Sequence, residues 1–326
     1  MTKSGSYSLI IRGYMTEIDT KLPLKQRLQQ MQKIKRVNWE VIELDYTLSW
    51  VLAAVGKEQE ISENLIFKGG TCLKKCYFGS NYRYSQDLDF TTKDPSISDQ
   101  KLDEYVDRVI ALAIQLTGEF NNRIDFVSEP YREKQAHKFN QKCYILRAQL
   151  PWHGQPLTKI KLEISRDEKI VTIPNKASIL HEYGEILSQQ LFTYTLEEIM
   201  AEKYRAILQN QERLKERQWI RSRVRDFYDL WCILTKFDHV LKKDNFPKIF
   251  KEKCDVKNIK FDGIEQFFGN QNYLLKIQKD WGEFLALLVT DLPDFDQLIL
   301  QLAQLTEQLF QCRKINDQVD DEATKN

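Results

Sequence analysis

The sequence predicts an α+β protein, a mixed-sheet core flanked by helices. Three observations predict it. Apolar residues recur at helical spacing before residue 60 and again beyond Leu191, while strand-length alternation is confined to the middle. A glycine turn, Lys68-Gly69-Gly70-Thr71, follows a short apolar run. Two aspartates then stand at alternate positions of an extended segment, Asp87-Leu88-Asp89-Phe90.

From Leu22 to Lys57, residues Val41, Leu44, Leu48, Val51, Leu52 and Val55 keep one helical face apolar, and Gly56 can stop the run. Leu65-Ile66-Phe67 reads as a strand entering the glycine turn. Thr71 to Phe78 reads as a helix ended by Gly79, and Leu88 to Thr92 as a strand. Ser98 to Leu116 is amphipathic, with Gly118 beyond its end. Three strands follow, Arg123–Val127, Lys142–Leu150 and Thr158–Ser165. The last places Ile160, Leu162 and Ile164 on one face and Lys159, Lys161 and Glu163 on the other. Thr195 and Glu198 have the spacing of a capping box for a helix from Leu196 to about Gln211. Further helices are expected over Arg223–Lys236 and Phe295–Phe310, with a frayed polar end from Asp317 to Asn326. The pattern divides the chain into an N-terminal helical segment (1–60), an α/β core (61–190) and a C-terminal helical domain (191–326).

With 326 residues and 42% apolar content the chain can bury a sizeable core. A net charge of +1 argues against a uniformly basic coat for nucleic acid. No apolar run approaches the roughly 20 residues that cross a bilayer, and Met1–Tyr14 lacks an apolar signal segment. A soluble, cytoplasmic protein is expected. The six cysteines form no Cys-x-x-Cys pair, which argues against zinc. Cys72 and Cys76, a helical turn apart, read as buried reduced thiols. His137, His153, His181 and His239 show no ligand spacing.

The chemistry concentrates in the middle. Gly69 and Gly70 lack Cβ atoms, so their N–H groups can approach phosphates, and the helix that follows adds a partial positive end. Asp87 and Asp89 point to one strand face, where they can hold Mg²⁺ or Mn²⁺ together with substrate phosphates. Glu163, on the polar face of a later strand, is the candidate third acid. Singly, each feature has an ordinary reading: a solvated turn for Asp-x-Asp, an ion-pair ladder with Lys159 and Lys161 for Glu163, a surface charge for Lys68. The joint arrangement points to a metal-dependent enzyme acting on a nucleoside triphosphate.

This arrangement resembles the DNA-polymerase-β-type nucleotidyltransferases. More narrowly, Lys68-Gly69-Gly70-Thr71-Cys72-Leu73 with Arg83-Tyr84-Ser85-Gln86-Asp87-Leu88-Asp89-Phe90 resembles the AbiEii/AbiGii toxins of type IV toxin–antitoxin (abortive infection) systems. Lys203-Tyr204-Arg205-Ala206 and Arg225-Asp226-Phe227-Tyr228-Asp229-Leu230 match further motifs, so the likeness runs from Phe67 to Leu234. It implies a polymerase-β-like core and transfer of a nucleoside monophosphate with release of pyrophosphate. Asp87, Asp89 and Glu163 would hold the metal; Gly69, Gly70, Thr71, Arg83, Ser85 and Lys203 would contact the nucleotide. Asp226 would act at the site by contacting the nucleotide or ordering Lys203, and Asp229 would be structural. The resemblance also implies a separately encoded antitoxin, a part in phage defence and tRNA, at its 3′ end, as acceptor. Basic residues exceed acids in Arg205–Arg225 and Lys236–Lys260, with Phe227, Tyr228, Trp231, Phe237, Phe246 and Phe250 as candidate stacking groups for RNA. Open alternatives are transfer to a protein or small molecule, attack on the γ-phosphate, and an inactive binding module of the same fold.

Overall fold

A computed structural model describes Ile18 and residues 20–129, 141–216 and 221–311. The expectations for His137, Cys312 and the tail beyond Asp317 lie outside these residues.

The N-terminal helical segment is two helices, α1 (Leu24–Lys35) and α2 (Trp39–Lys57), rather than one. Arg36 breaks the run in the left-handed region at φ 52°. Gly56 does not stop α2. A Cβ there would lie 2.8 Å from the Gln190 carbonyl oxygen, so glycine lets a neighbouring strand approach. A short α3 (Gln59–Asn64) leads into β1 (Leu65–Lys68). The chain then turns through α4 (Gly69–Cys72) and a π-helical turn, Leu73–Phe78, which Gly79 closes at φ 64°. Next come β2 (Asp87–Thr92), α5 (Asp99–Glu119), β3 (Asp125–Glu129), β4 (Gln141–Gln149) and β5 (Thr158–Ser165). The expected third strand is thus shifted toward Glu129, and α5 runs through Gly118. Two short strands, β6 (Asn175–Ser178) and β7 (Gln190–Thr193), carry no clear alternation and were not foreseen.

All seven strands form one sheet in the order β3-β4-β5-β2-β1-β7-β6. β1 pairs antiparallel with β2, and β2 pairs parallel with β5. One face of β2 and β5 is apolar, with Leu88, Phe90, Ile160, Leu162 and Ile164 buried. α2 packs against β5 and α5. The other face carries Asp87, Asp89, Lys161 and Glu163. A period of two forces this division, because burying one face leaves the acids together on the other.

The C-terminal part is helical: α6 (Leu196–Glu216), α7 (Val224–Lys236), α8 (Phe246–Asp255), α9 (Glu265–Phe268), α10 (Gln271–Leu285) and α11 (Phe295–Gln311). Only half of the predicted capping box forms. The Glu198 N–H donates to Thr195 Oγ1 at 3.3 Å, but the Glu198 carboxylate accepts from the Val171 N–H at 2.8 Å. Tyr204 centres an aromatic cluster with Phe246, Phe250, Phe267 and Phe310, and its hydroxyl meets Thr306 Oγ1 at 2.6 Å. The proposed stacking groups Phe227, Tyr228, Phe246 and Phe250 are therefore core, each no more than 6% exposed. Trp231 is tied to Gln301, and Phe237 packs on Phe78.

Candidate active site

Strand register builds the first wall. Lys68 lies opposite Asp89, and Asp89 opposite Glu163, so three charged side chains form one row across β1, β2 and β5. Asp87 lies two residues along, opposite Lys161. Residues directly opposite one another share a face, which brings the three predicted acids together. Burial, then Glu163 and Asp87, push the Asp89 carboxyl up to about 7 against the pull of Lys68. Burial also raises Asp87, although Lys161, Arg221 and Arg225 draw it down. Glu163 is held by Lys161.

The glycines serve this wall directly. Gly69 has φ +78°, and a Cβ there would strike the Asp89 carboxylate. A Cβ on Gly70 would strike the Arg83 guanidinium. The expectation for Thr71 is corrected. Its side chain is 1% exposed and its hydroxyl donates to the Asp87 carbonyl, so it fixes the acid strand and has no reach to a phosphate. Lys68 is corrected too. It is a buried cation, paired with Glu202 at 3.2 Å, not a surface charge.

α6 and α7 supply the opposite wall. Lys203 Nζ stands 2.6 Å from Asp229 Oδ2 and 3.0 Å from Asp226 Oδ1. Arg83 makes a two-pronged pair with Asp229, both contacts at 2.6 Å. Asp229 is fully buried and is the hub of this network. Asp226 orders Lys203 and takes a second cation, Arg223, at 3.3 Å. Burial opposes the charge on Lys203, but Asp229 and Asp226 outweigh it and hold its pKa above the ordinary lysine value.

Between these walls lies a cavity of about 480 Å³, lined by Gly69, Gly70, Arg83, Ser85, Asp87, Asp89, Glu163, Lys203 and Asp226. Every predicted site residue except Thr71 thus lines it. Sequence reasoning missed Glu202, Arg221, Arg223 and Phe284, which also line it. Arg225 entered only as part of the motif Arg225-Asp226 and as the end of the basic stretch Arg205–Arg225. The alternating Arg221-Ser222-Arg223-Val224-Arg225 was the available signal. Arg221 and Arg225 form no side-chain hydrogen bond or ion pair among the described residues.

The donor set is all oxygen, which suits Mg²⁺ or Mn²⁺. Three crowded carboxylates, one of them held near neutrality, are the chemistry of a cation site. Among the described residues, no three such side chains already stand closed around one point.

A glycine turn, paired strand acids and a facing lysine on a mixed sheet define a nucleotidyltransferase. The family model for the AbiEii nucleotidyl transferase toxin of type IV toxin–antitoxin systems matches residues 50–301. The chain belongs to that family. The fold is similar to MenT4, a nucleotidyltransferase toxin from Mycobacterium tuberculosis H37Rv, with TM-score 0.58 and 16% identity over 93% of this chain and 98% of that one. It is also similar to a candidate nucleotidyltransferase from H. pylori, with TM-score 0.53 and 16% identity over 85% of this chain and 98% of that one. No curated protein matches the sequence.

Proposed function

We propose that this nucleotidyltransferase moves a nucleoside monophosphate from a triphosphate onto RNA, with the 3′ end of tRNA as acceptor. The observation that carries the reading is the Asp89–Glu163 register with Asp87 beside it, facing Lys203 across one cavity. Asp87, Asp89 and Glu163 would hold Mg²⁺ or Mn²⁺. Bound there, the cation would polarise the α-phosphate and offset charge on the leaving pyrophosphate.

The chain's own groups do the rest. Arg83, Lys203 and Arg223 face two carboxylates, Asp226 and Asp229, which leaves that network cationic. Arg221 and Arg225 add two further positive charges to the wall. Together they attract and orient a triphosphate. Ser85, half-buried on the cavity wall, can donate to a phosphate oxygen. The acceptor hydroxyl attacks the α-phosphorus, a new P–O bond forms, the bond to pyrophosphate breaks, and a carboxylate of the acid row takes the proton. Family membership supports a cognate antitoxin, which we take to be separately encoded, and a role in phage defence. We place the reaction in the cytoplasm, where triphosphates and tRNA meet. Among the described residues, no helix is long and apolar enough to cross a membrane.

The test is incubation with each triphosphate, labelled in turn at the α- or γ-phosphate, with Mg²⁺ and total cellular RNA. The reading expects α-label, and no γ-label, in a tRNA-sized band. Label from the γ-position would mean phosphoryl transfer. Label in protein or small molecules alone would move the acceptor.

A further inference from the structure

Phe284 is the only aromatic side chain on the cavity wall among the described residues. It stands on the last turn of α10. The buried face of that helix is Tyr273, Leu274, Ile277, Trp281 and Leu285, and Phe284 lies beside that face with 41% of its surface exposed. A single exposed apolar residue is ordinary on a protein surface. This one forms part of a wall otherwise dominated by charged and polar groups, and core packing does not require it there.

The helix is held in place from both sides. α10 packs against α7, and the Tyr84 N–H donates to the Leu288 carbonyl at 3.2 Å, just past its end. Phe284 is thereby fixed near the segment that leads through Ser85 into Asp87. Arg221 and Arg225 line the same cavity and act electrostatically on Asp87. An exposed ring lining the same cavity as two guanidinium groups that have no side-chain partner among the described residues matches the two halves of a nucleotide. The flat base stacks on the ring, and the phosphate meets the cations.

We propose that Phe284 with Arg221 and Arg225 forms a nucleobase subsite at the cavity wall. The inference rests on the transfer reaction proposed above and names a part of the site that binds base rather than phosphate or metal. The base belongs either to the incoming triphosphate or to the end of the RNA acceptor, and the test separates the two.

The experiment compares the full chain with Phe284→Ala and Phe284→Trp, measuring KM for the triphosphate and for the RNA separately. Losing one stacking partner should raise one KM about tenfold in Phe284→Ala, and Phe284→Trp should restore it. A rise confined to the triphosphate assigns the incoming base, and a rise confined to RNA assigns the acceptor base. Unchanged KM values for both substrates in Phe284→Ala would overturn the subsite. If the wild type transfers nothing, the reaction itself is wrong, and equilibrium dialysis then decides. A labelled triphosphate and a short single-stranded RNA are each competed with inorganic triphosphate. Weaker binding of either ligand by Phe284→Ala supports the subsite, and equal binding of both overturns it.

Discussion

Asp229 gives the sharpest stability prediction. Its side chain is fully buried and accepts from Arg83 at 2.6 Å, from Lys203 at 2.6 Å and from the Tyr82 hydroxyl. Burial would raise its carboxyl, but Arg83 and Lys203 outweigh burial and hold it at about 2, against an ordinary 3.8. A gap of about 1.8 units corresponds to about 2 kcal/mol of folding stability. The folded value is the depressed one. The contribution is therefore complete above about pH 4 and is lost as pH falls through 2; by pH 3 about half remains. Asp229→Ala removes the anion and leaves two desolvated cations facing each other. At pH 7 that should cost about 3–5 kcal/mol. Asp229→Asn keeps an oxygen for Arg83 and should fall between the two. Urea unfolding followed by circular dichroism measures the difference, read from the midpoint with the slope unchanged. From pH 7 to pH 3 the gap between wild type and Asp229→Ala should narrow by about 1 kcal/mol. A gap below about 1 kcal/mol at pH 7, or one indifferent to pH, would refute the hub assignment.

Other outcomes follow from the same geometry. Gly69→Ala forces a side chain into φ +78° and onto the Asp89 carboxylate, so it should lower stability by about 1–3 kcal/mol and abolish transfer. Gly118→Ala, which meets nothing within 4 Å, is the control and should leave activity unchanged in the same assay. Thr71→Val should lower kcat through the Asp87 strand while KM for the triphosphate stays within about twofold; a large rise in that KM would restore a phosphate contact. Mg²⁺ should raise the thermal midpoint more at pH 8 than at pH 5, because protons compete for an Asp89 carboxyl held at about 7. Equal shifts at both values would argue against binding at this row.

Much of the site was legible because it depends on short-range rules. Alternation placed Asp87 with Asp89 on β2 and Glu163 on the polar face of β5, and periodicity marked α5, α6 and α7. What the pattern could not carry was register. That Asp89 lies opposite Glu163, and Lys68 opposite Asp89, follows from pairing between residues 74 and 21 positions apart. The glycines were read as phosphate cradles, and their first structural duty is to clear Asp89 and Arg83. Arg83 and Asp229 pair across 146 residues, which no local motif announces. Strands β6 and β7 have four residues each, too few for a period to emerge. The stacking groups assigned to the basic stretches were misread because residue counts ignore burial, although Arg221, Arg223 and Arg225 of the first stretch do line the cavity. Lys253 is fully buried between Glu198 and Glu202, and most aromatics beside those lysines build the C-terminal core.

Asp89→Asn tests the catalytic assignment most directly, because it separates chemistry from folding. The substitution removes a carboxylate that crowds Glu163 and Asp87, so the metal-free variant should melt no lower than wild type at pH 8. Transfer of α-labelled nucleotide to RNA should fall at least a thousandfold, by about 4 kcal/mol of transition-state stabilisation. A variant that melts normally and still transfers at a rate near that of wild type would show that the acid row does not carry the reaction.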